Sequence, residues 1–323
     1  MASRRCGGIQ VSEQGFVSSP DPGFGQPAIG SISQVIALVF PPARSRANYF
    51  MELFWGVWEA ANEEGFALVT TLTSDPSTHT ELPLNALFSR GDIDGVLLTG
   101  VHLQASTHLL VQLRQEPSFG SRPVLSILCD LPNCDSVIVD HANGGYATLR
   151  HFLLQGHRRI LHFLTGNYLR EPVYQQRLAG YHQACAEVGV DPADCLRPFY
   201  WRHADIPGSL AGIVETLQRE TEVTAITALN DWCVLRIIPA LEAAGFFVPG
   251  THSIIGYDDT EILPDAQGRN MLSTVRVPVH DLAKQAAIRL IHTIRSGHPP
   301  DEPLHIPVLL VDRASTAPPQ HAA

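Results

Sequence analysis

The stretch covering residues 224–259 constrains the fold more than any other part of this chain. Residues 224–229 (TAITAL) form a short apolar run with β-branched members, bounded by polar sequence on both sides, as a buried strand is. Asn230 then stands where a helix N-cap is wanted, because its side-chain oxygen can accept one of the unpaired N–H groups of the first turn. Val234, Leu235, Ile238, Leu241 and Ala244 recur at three and four residues, and Gly245 falls where a left-handed C-terminal cap belongs. After Pro249, residues 252–257 (HSIIGY) read as a second buried strand that ends on Asp258 and Asp259. A strand, helix and strand of this length make a right-handed crossover in a parallel sheet. Asn230-Asp231 and Asp258-Asp259 therefore lie at carboxyl ends of strands, the edge where ligands bind in open α/β sheets. On spacing alone two readings stand: ligand contacts, or a plain cap and a solvated acidic turn.

The same alternation runs through the rest of the chain. In the first half, strands at residues 35–40, 66–71, 95–99, 123–128 and 136–139 alternate with helices near 49–64, 82–89 and 106–115. A helix at 140–155 is closed by Gly156 and leads into the strand at 160–164, after which the alternation begins again, with a change-over near residues 164–166. Helices at 173–188 and 208–220 and a strand near 196–200 follow, then the central unit, a helix at 279–295 and a last strand at 305–311. The pattern predicts an α/β fold of two doubly wound parallel-sheet lobes joined by crossover segments. Residues 1–33, rich in Gly, Ser and Pro, are expected to be a tail or linker. Residues 34–163 with 276–303 are assigned to the first lobe, and 164–275 with 304–319 to the second. Lobes tied by several crossing segments can hinge over a cleft.

Composition narrows the function. Among 323 residues, 45% are hydrophobic and 17% charged, an ordinary globular balance. A net charge of −10 gives the body no general attraction to phosphate backbones. The six cysteines form no Cys-x-x-Cys pair and have no histidine at metal-ligand spacing, which suits buried thiols in a reducing cytoplasm and no metal site. No apolar run approaches the ~18 residues of a membrane span, and the first 30 residues hold no secretory core. None of the fifteen histidines joins a serine or cysteine in a nucleophile motif, and Gly23-Phe24-Gly25 lacks the preceding strand of a dinucleotide fingerprint. Asp258 and Asp259, as neighbours on a strand end, point in different directions and suit an acid–base pair poorly. The chain is expected to bind rather than catalyse, without a cofactor.

Arg170 and Arg177 flank the start of a helix that follows the strand end Leu164-Thr165-Gly166, near the same sheet edge as Asn230 and Asp258. Guanidinium donors facing carboxylate acceptors suit a polyhydroxylated or anionic small molecule, although both arginines could equally be solvated or pair with local acids. Tyr49 and Phe50 could wall a ring or fill a core, and Tyr200-Trp201 raises the same choice.

Taken in order, Ala142-Asn143-Gly144-Gly145-Tyr146, Gly156-His157-Arg158-Arg159-Ile160, Arg177-Leu178-Ala179-Gly180-Tyr181, Ala228-Leu229-Asn230-Asp231, Ile255-Gly256-Tyr257-Asp258-Asp259, Leu272-Ser273-Thr274-Val275-Arg276 and Arg313-Ala314-Ser315-Thr316-Ala317-Pro318-Pro319 carry a resemblance. Over about residues 35–319 the chain resembles the effector-binding core of LacI/GalR-family transcription regulators, itself similar to periplasmic sugar-binding proteins. The resemblance implies effector contacts from Arg170, Arg177, Asn230 and Asp258, with Tyr49 and Phe50 lining the cleft and Trp201 stacking on a sugar. It also implies a homodimer, a sugar or related metabolite as effector, and closure of the lobes around it. A solute-binding protein of a sugar transport system is the competing expectation. Family members usually begin with a helix-turn-helix headpiece, and none can be drawn in residues 1–33, where Arg4 and Arg5 are the basic residues. Ser19-Pro20-Asp21-Pro22 looks like the segment just after a headpiece, so operator DNA is a partner only if a headpiece is supplied upstream.

Overall fold

The computed structural model describes residues 33–40, 47–72, 88, 91–99, 103–128, 130–165 and 171–320. The tail at 1–32, most of the helix expected at 82–89, Gly166 and Arg170 lie outside the described residues.

Two sheets of six strands each organise the described chain. The first runs in the order β11 (Leu304–Ile306), β5 (Asp135–Val139), β4 (Val124–Ile127), β3 (Gly95–Thr99), β1 (Val35–Phe40), β2 (Ala67–Leu72), all parallel. The second runs β12 (Leu309–Val311), β10 (Ser273–Arg276), β9 (Ser253–Asp258), β8 (Ala225–Thr227), β6 (Ile160–Thr165), β7 (Leu196–Trp201), with β10 and β12 antiparallel. Strands such as VIALVF and GVLLT are apolar throughout because helices cover both faces of a parallel sheet. The helices are α1 (Ala47–Glu63), α2 (Leu103–Gln115), α3 (His141–Gln155), α4 (Pro172–Val188), α5 (Pro192–Cys195), α6 (Ile206–Arg219), α7 (Asp231–Ala243) and α8 (Val279–Ser296).

The lobe boundaries differ from the sequence expectation in two places. The change-over falls at Asp140 rather than near residues 164–166, because α3 covers the second sheet: Leu149, Phe152 and Leu153 share a buried cluster with Ile160, Tyr181 and Ala184. Two glycines draw α3 against α4. A Cβ on Gly180 would lie 2.0 Å from the Ala142 carbonyl oxygen, and one on Gly145 would lie 2.2 Å from that of Arg177. The last run is two strands rather than one, β11 pairing with β5 in the first sheet and β12 with β10 in the second. Pro307 sits between them, and a residue without an N–H cannot extend the first ladder.

The chain thus crosses between lobes at Asp140, at Val277-Pro278 and at Pro307-Val308. The Asp140 N–H donates to the Ile306 carbonyl (3.1 Å), tying the first crossing to the third. At the far end of the second sheet, His157 is buried between Thr224 and the C-terminal segment. Its Nε2 donates to the Ala317 carbonyl (3.0 Å), so its Nδ1 accepts from the Thr224 hydroxyl (2.7 Å).

Candidate functional site

The β8–α7 junction and the end of β9 bring three of the expected site residues together. Arg177, on α4, is 8% exposed, and its Nη1 donates to the Leu229 carbonyl (2.7 Å), one residue before Asn230. Its guanidinium carbon lies 3.3 Å from the centroid of the Tyr257 ring, one residue before Asp258. The Tyr257 hydroxyl lies 3.0 Å from His141 Nδ1. Gly144 makes room for that hydroxyl, since a Cβ there would lie 2.3 Å from it. Gly144, Gly145 and Gly180 therefore share one physical purpose: they let α3, α4 and Tyr257 approach closely enough to seat Arg177. Arg177 Nε is buried and has no hydrogen-bond partner among the described residues.

Asn230 is the N-cap of α7, its Oδ1 accepting from the Cys233 N–H at 3.0 Å. The cap occupies Oδ1, so a ligand would meet the Nδ2 donor. Asp258 and Asp259 both adopt positive φ, +101° and +59°. A non-glycine residue at the first value costs about 1–3 kcal/mol and persists where its surroundings fix it. Here the Val277 N–H donates to the Asp258 carbonyl (3.3 Å). The Asp259 carboxylate accepts from Arg276 Nε (2.7 Å) and from Arg313 Nη1 and Nη2 (2.8 and 3.1 Å). A cavity of about 410 Å³ opens beside this turn, between Asn48, Glu52 and Trp55 of α1 and Asp258, Arg276 and His280. It is bounded by both lobes, and Asn48 Nδ2 crosses to Glu261 Oε2 at 2.9 Å.

The other expected residues lie elsewhere. Trp201 is buried in the second-lobe core, stacked on Phe163 (5.8 Å between centroids) and edge-on to His203, with its indole N–H unpartnered among the described residues. Tyr49 is buried in the first-lobe core and stands edge-on to Phe50, which is half-buried and edge-on to Phe40. Asp231, beside the expected Asn230, is fully buried, with Oδ1 accepting from Thr274 Oγ1 (2.6 Å) and Oδ2 from the Thr260 N–H (3.0 Å). In the sequence Asp231 reads as a polar signal without a role of its own, and Tyr257 does not stand out. The motif Ile255-Gly256-Tyr257 was the signal for both.

Buried titratable groups set how stability follows pH. Burial pushes His157 and His162 down to about 4 and pushes Asp231 up to about 8, with Asp258 and Asp259 adding to the rise. The histidines stay neutral in the fold while the unfolded chain takes up protons below about 6.5, so their contribution is lost between about pH 6.5 and 4. Asp231 keeps its proton while the unfolded chain releases it, so stability also falls as pH rises from about 4 to 8. Burial also lowers His252 and raises Glu261, so below pH 6.5 the imidazoles outweigh the carboxyls, and above it Asp231 dominates. Urea unfolding is expected to show greatest stability near pH 6–6.5, declining by about 2 kcal/mol by pH 8, and a urea midpoint that stays flat from pH 6.5 to 8 contradicts the Asp231 assignment.

The fold is that of two-lobed ligand-binding proteins, with Arg177 and Asn230 buried at the sheet edge and Asp258, alone of the three, lining the inter-lobe cavity. Residues 149–316 match the periplasmic binding protein-like domain family. The chain is 28% identical over 253 residues to the ribose operon repressor of Haemophilus influenzae, covering 77% of this chain and 71% of that protein. It is 28% identical over 294 residues to the transcriptional regulator DegA of Bacillus subtilis, covering 90% and 82%. A LacI family regulator from Enterococcus faecium, solved with bound ribose, matches its fold with a TM-score of 0.71 at 23% identity, over 88% of this chain and 100% of that one. The chain belongs to the periplasmic binding protein-like family, in the branch formed by LacI/GalR-type effector-binding cores. That family is non-catalytic. No described helix is long and apolar enough to cross a membrane.

Proposed function

We propose that this chain is the sensing core of a transcription regulator that takes a sugar or related polyol between its lobes, with contacts from Arg177, Asn230 and Asp258. The observation that carries the reading is Arg177: a buried guanidinium at the carboxyl edge of the second sheet, held by a carbonyl and an aromatic face, with Nε left for a further acceptor. Asp258, on a fixed left-handed turn at the cavity rim, supplies the acceptor that sugar hydroxyls need. A ligand touching both lobes binds the closed state better and shifts the population towards it. The relatives named for ribose favour a pentose or hexose.

The reading includes a homodimer. Helix α1 buries Tyr49, Leu53, Val57 and Ala61, and while Met51 and Trp55 line the cavity, Trp58 is 44% exposed away from the core. A helix apolar on both faces calls for a second covering surface. With a net charge of −10, contact with operator DNA would require a headpiece supplied upstream.

A thermal-shift screen of ribose, galactose, cellobiose, purines and amino acids tests the reading. A sugar at 100-fold its Kd stabilises by about 2.7 kcal/mol, or roughly 5–10 °C in a chain of this size. Asp258→Ala is expected to abolish that rise while lowering the unliganded midpoint by no more than about 3 °C. A screen in which no sugar moves the wild type, or a rise that survives in Asp258→Ala, removes the reading.

A further inference from the structure

We propose that Asp231 is the positioning residue of the effector site, the group through which the β8–α7 junction fixes the place of Asp258 relative to Arg177. The inference rests on the effector reading for its purpose, but not for its geometry. Leu229 and Asp231 are two residues apart. The backbone of the first anchors Arg177, through Nη1 at 2.7 Å, and the side chain of the second anchors the turn after Asp258, through the Thr260 N–H at 3.0 Å. One junction therefore holds the guanidinium on one side and the carboxylate on the other.

The carboxyl is built in from every side. Its Oδ1 takes the Thr274 hydroxyl at 2.6 Å, so β10 is tied to the same point. Gly256 of β9 lies directly against it: a Cβ there would be 2.0 Å from Asp231 Oδ1. That contact is the physical reason for glycine in Ile255-Gly256-Tyr257. Asp231 itself is fully buried, so it does not touch solvent or a ligand; it acts through Thr260. The same turn receives Asn48 of the first lobe, whose Nδ2 lies 3.4 Å from the Thr260 carbonyl, so the segment that Asp231 holds is also where the lobes meet. The acids facing Asp231 are Asp258 and Asp259, and the latter is neutralised by Arg276 and Arg313.

The bond geometry separates positioning from simple core filling. In Asp231→Asn the amide oxygen can still accept from the Thr260 N–H, and the amide nitrogen can donate to the Thr274 hydroxyl, which accepts as well as donates. In Asp231→Ala both bonds are gone. Hydrogen exchange on the ligand-free protein is the decisive measurement. Asp231→Ala is expected to speed exchange at residues 258–262 at least tenfold, with β8 and the rest of β9 unchanged, and Asp231→Asn is expected to restore wild-type protection. Acceleration spread evenly over the second sheet, or none at residues 258–262, overturns the proposal. Should the alanine variant not fold, the wild-type Thr260 amide resonance decides. Because that N–H is bonded to the carboxyl, its shift must follow Asp231 titration, and Asp231→Asn must abolish the response; a Thr260 shift indifferent to pH in the wild type also overturns the proposal. With D-ribose as probe, Asp231→Ala is expected to weaken binding at least tenfold while Asp231→Asn stays within threefold of wild type. Absence of ribose binding by the wild type counts against the ribose reading alone, since the exchange result stands without it.

Discussion

Gly180→Ala is expected to destabilise the second lobe by about 3 kcal/mol or more and to lower the melting midpoint by roughly 6–12 °C. The reason is backbone, not side chain. The added Cβ would lie 2.0 Å from the Ala142 carbonyl oxygen and 2.5 Å from the Tyr146 nitrogen, so no rotamer change relieves the clash. Helices α3 and α4 must separate, opening the interior where Leu149, Phe152, Tyr181 and Ala184 now interdigitate. Gly189→Ala is the control. That glycine has φ +72° with nothing within 4 Å of a Cβ, so its substitution costs about 1 kcal/mol of backbone strain. Separation of the helices also displaces Arg177, whose carbonyl lies against Gly145, so effector affinity is expected to fall together with stability. A Gly180→Ala protein melting within 2 °C of wild type would show that the two helices have slack that this packing denies them.

The parts of this molecule that were legible in sequence are those fixed by local chemistry. The central unit is one. Asn230 caps α7 through its own oxygen, Gly245 takes the left-handed conformation after it, and β8 and β9 lie where two short apolar runs predict them. The rule that ligand groups gather at the carboxyl ends of parallel strands likewise places Arg177, Asn230 and Asp258 on one edge. What was not legible depends on partners distant in sequence. An amphipathic helix at 140–155 follows one strand and precedes another, and nothing in its periodicity says which sheet it will cover. The glycine contacts between α3 and α4 decide that, and they exist only in three dimensions. Trp201 shows the same limit, since strand alternation puts it at a sheet end without telling whether its ring faces a ligand or Phe163. Asp231 reads as a helix-start acid, the commonest place for one. Its burial under Thr260 and Thr274 needs three strands to be assembled first.

Arg177→Met is expected to separate binding from stability more sharply than any other single change. The guanidinium is buried without a carboxylate partner among the described residues; its described contacts are the Leu229 carbonyl and the faces of Tyr257 and Tyr174. Removing it forfeits a stacking contact of about 2 kcal/mol and leaves the Leu229 carbonyl short of a donor. The same change relieves the desolvation of a charge, which is of similar size, and methionine fills the channel that the arginine stem occupied. The two sides nearly cancel, so urea unfolding should shift by less than about 2 kcal/mol. Binding has no such compensation. A ligand acceptor that meets Nε in the closed state would face a thioether, and losing a charge-assisted bond in a buried site costs about 2–5 kcal/mol, about thirtyfold or more in Kd. Arg177→Lys keeps the charge but loses the planar fork that donates to Leu229 and stacks on Tyr257, so it is expected to recover only part of the affinity. Calorimetry with the sugar found by thermal shift settles the matter: a methionine variant binding within threefold of wild type would place Arg177 in the scaffold and leave the ligand to Asn230 and Asp258.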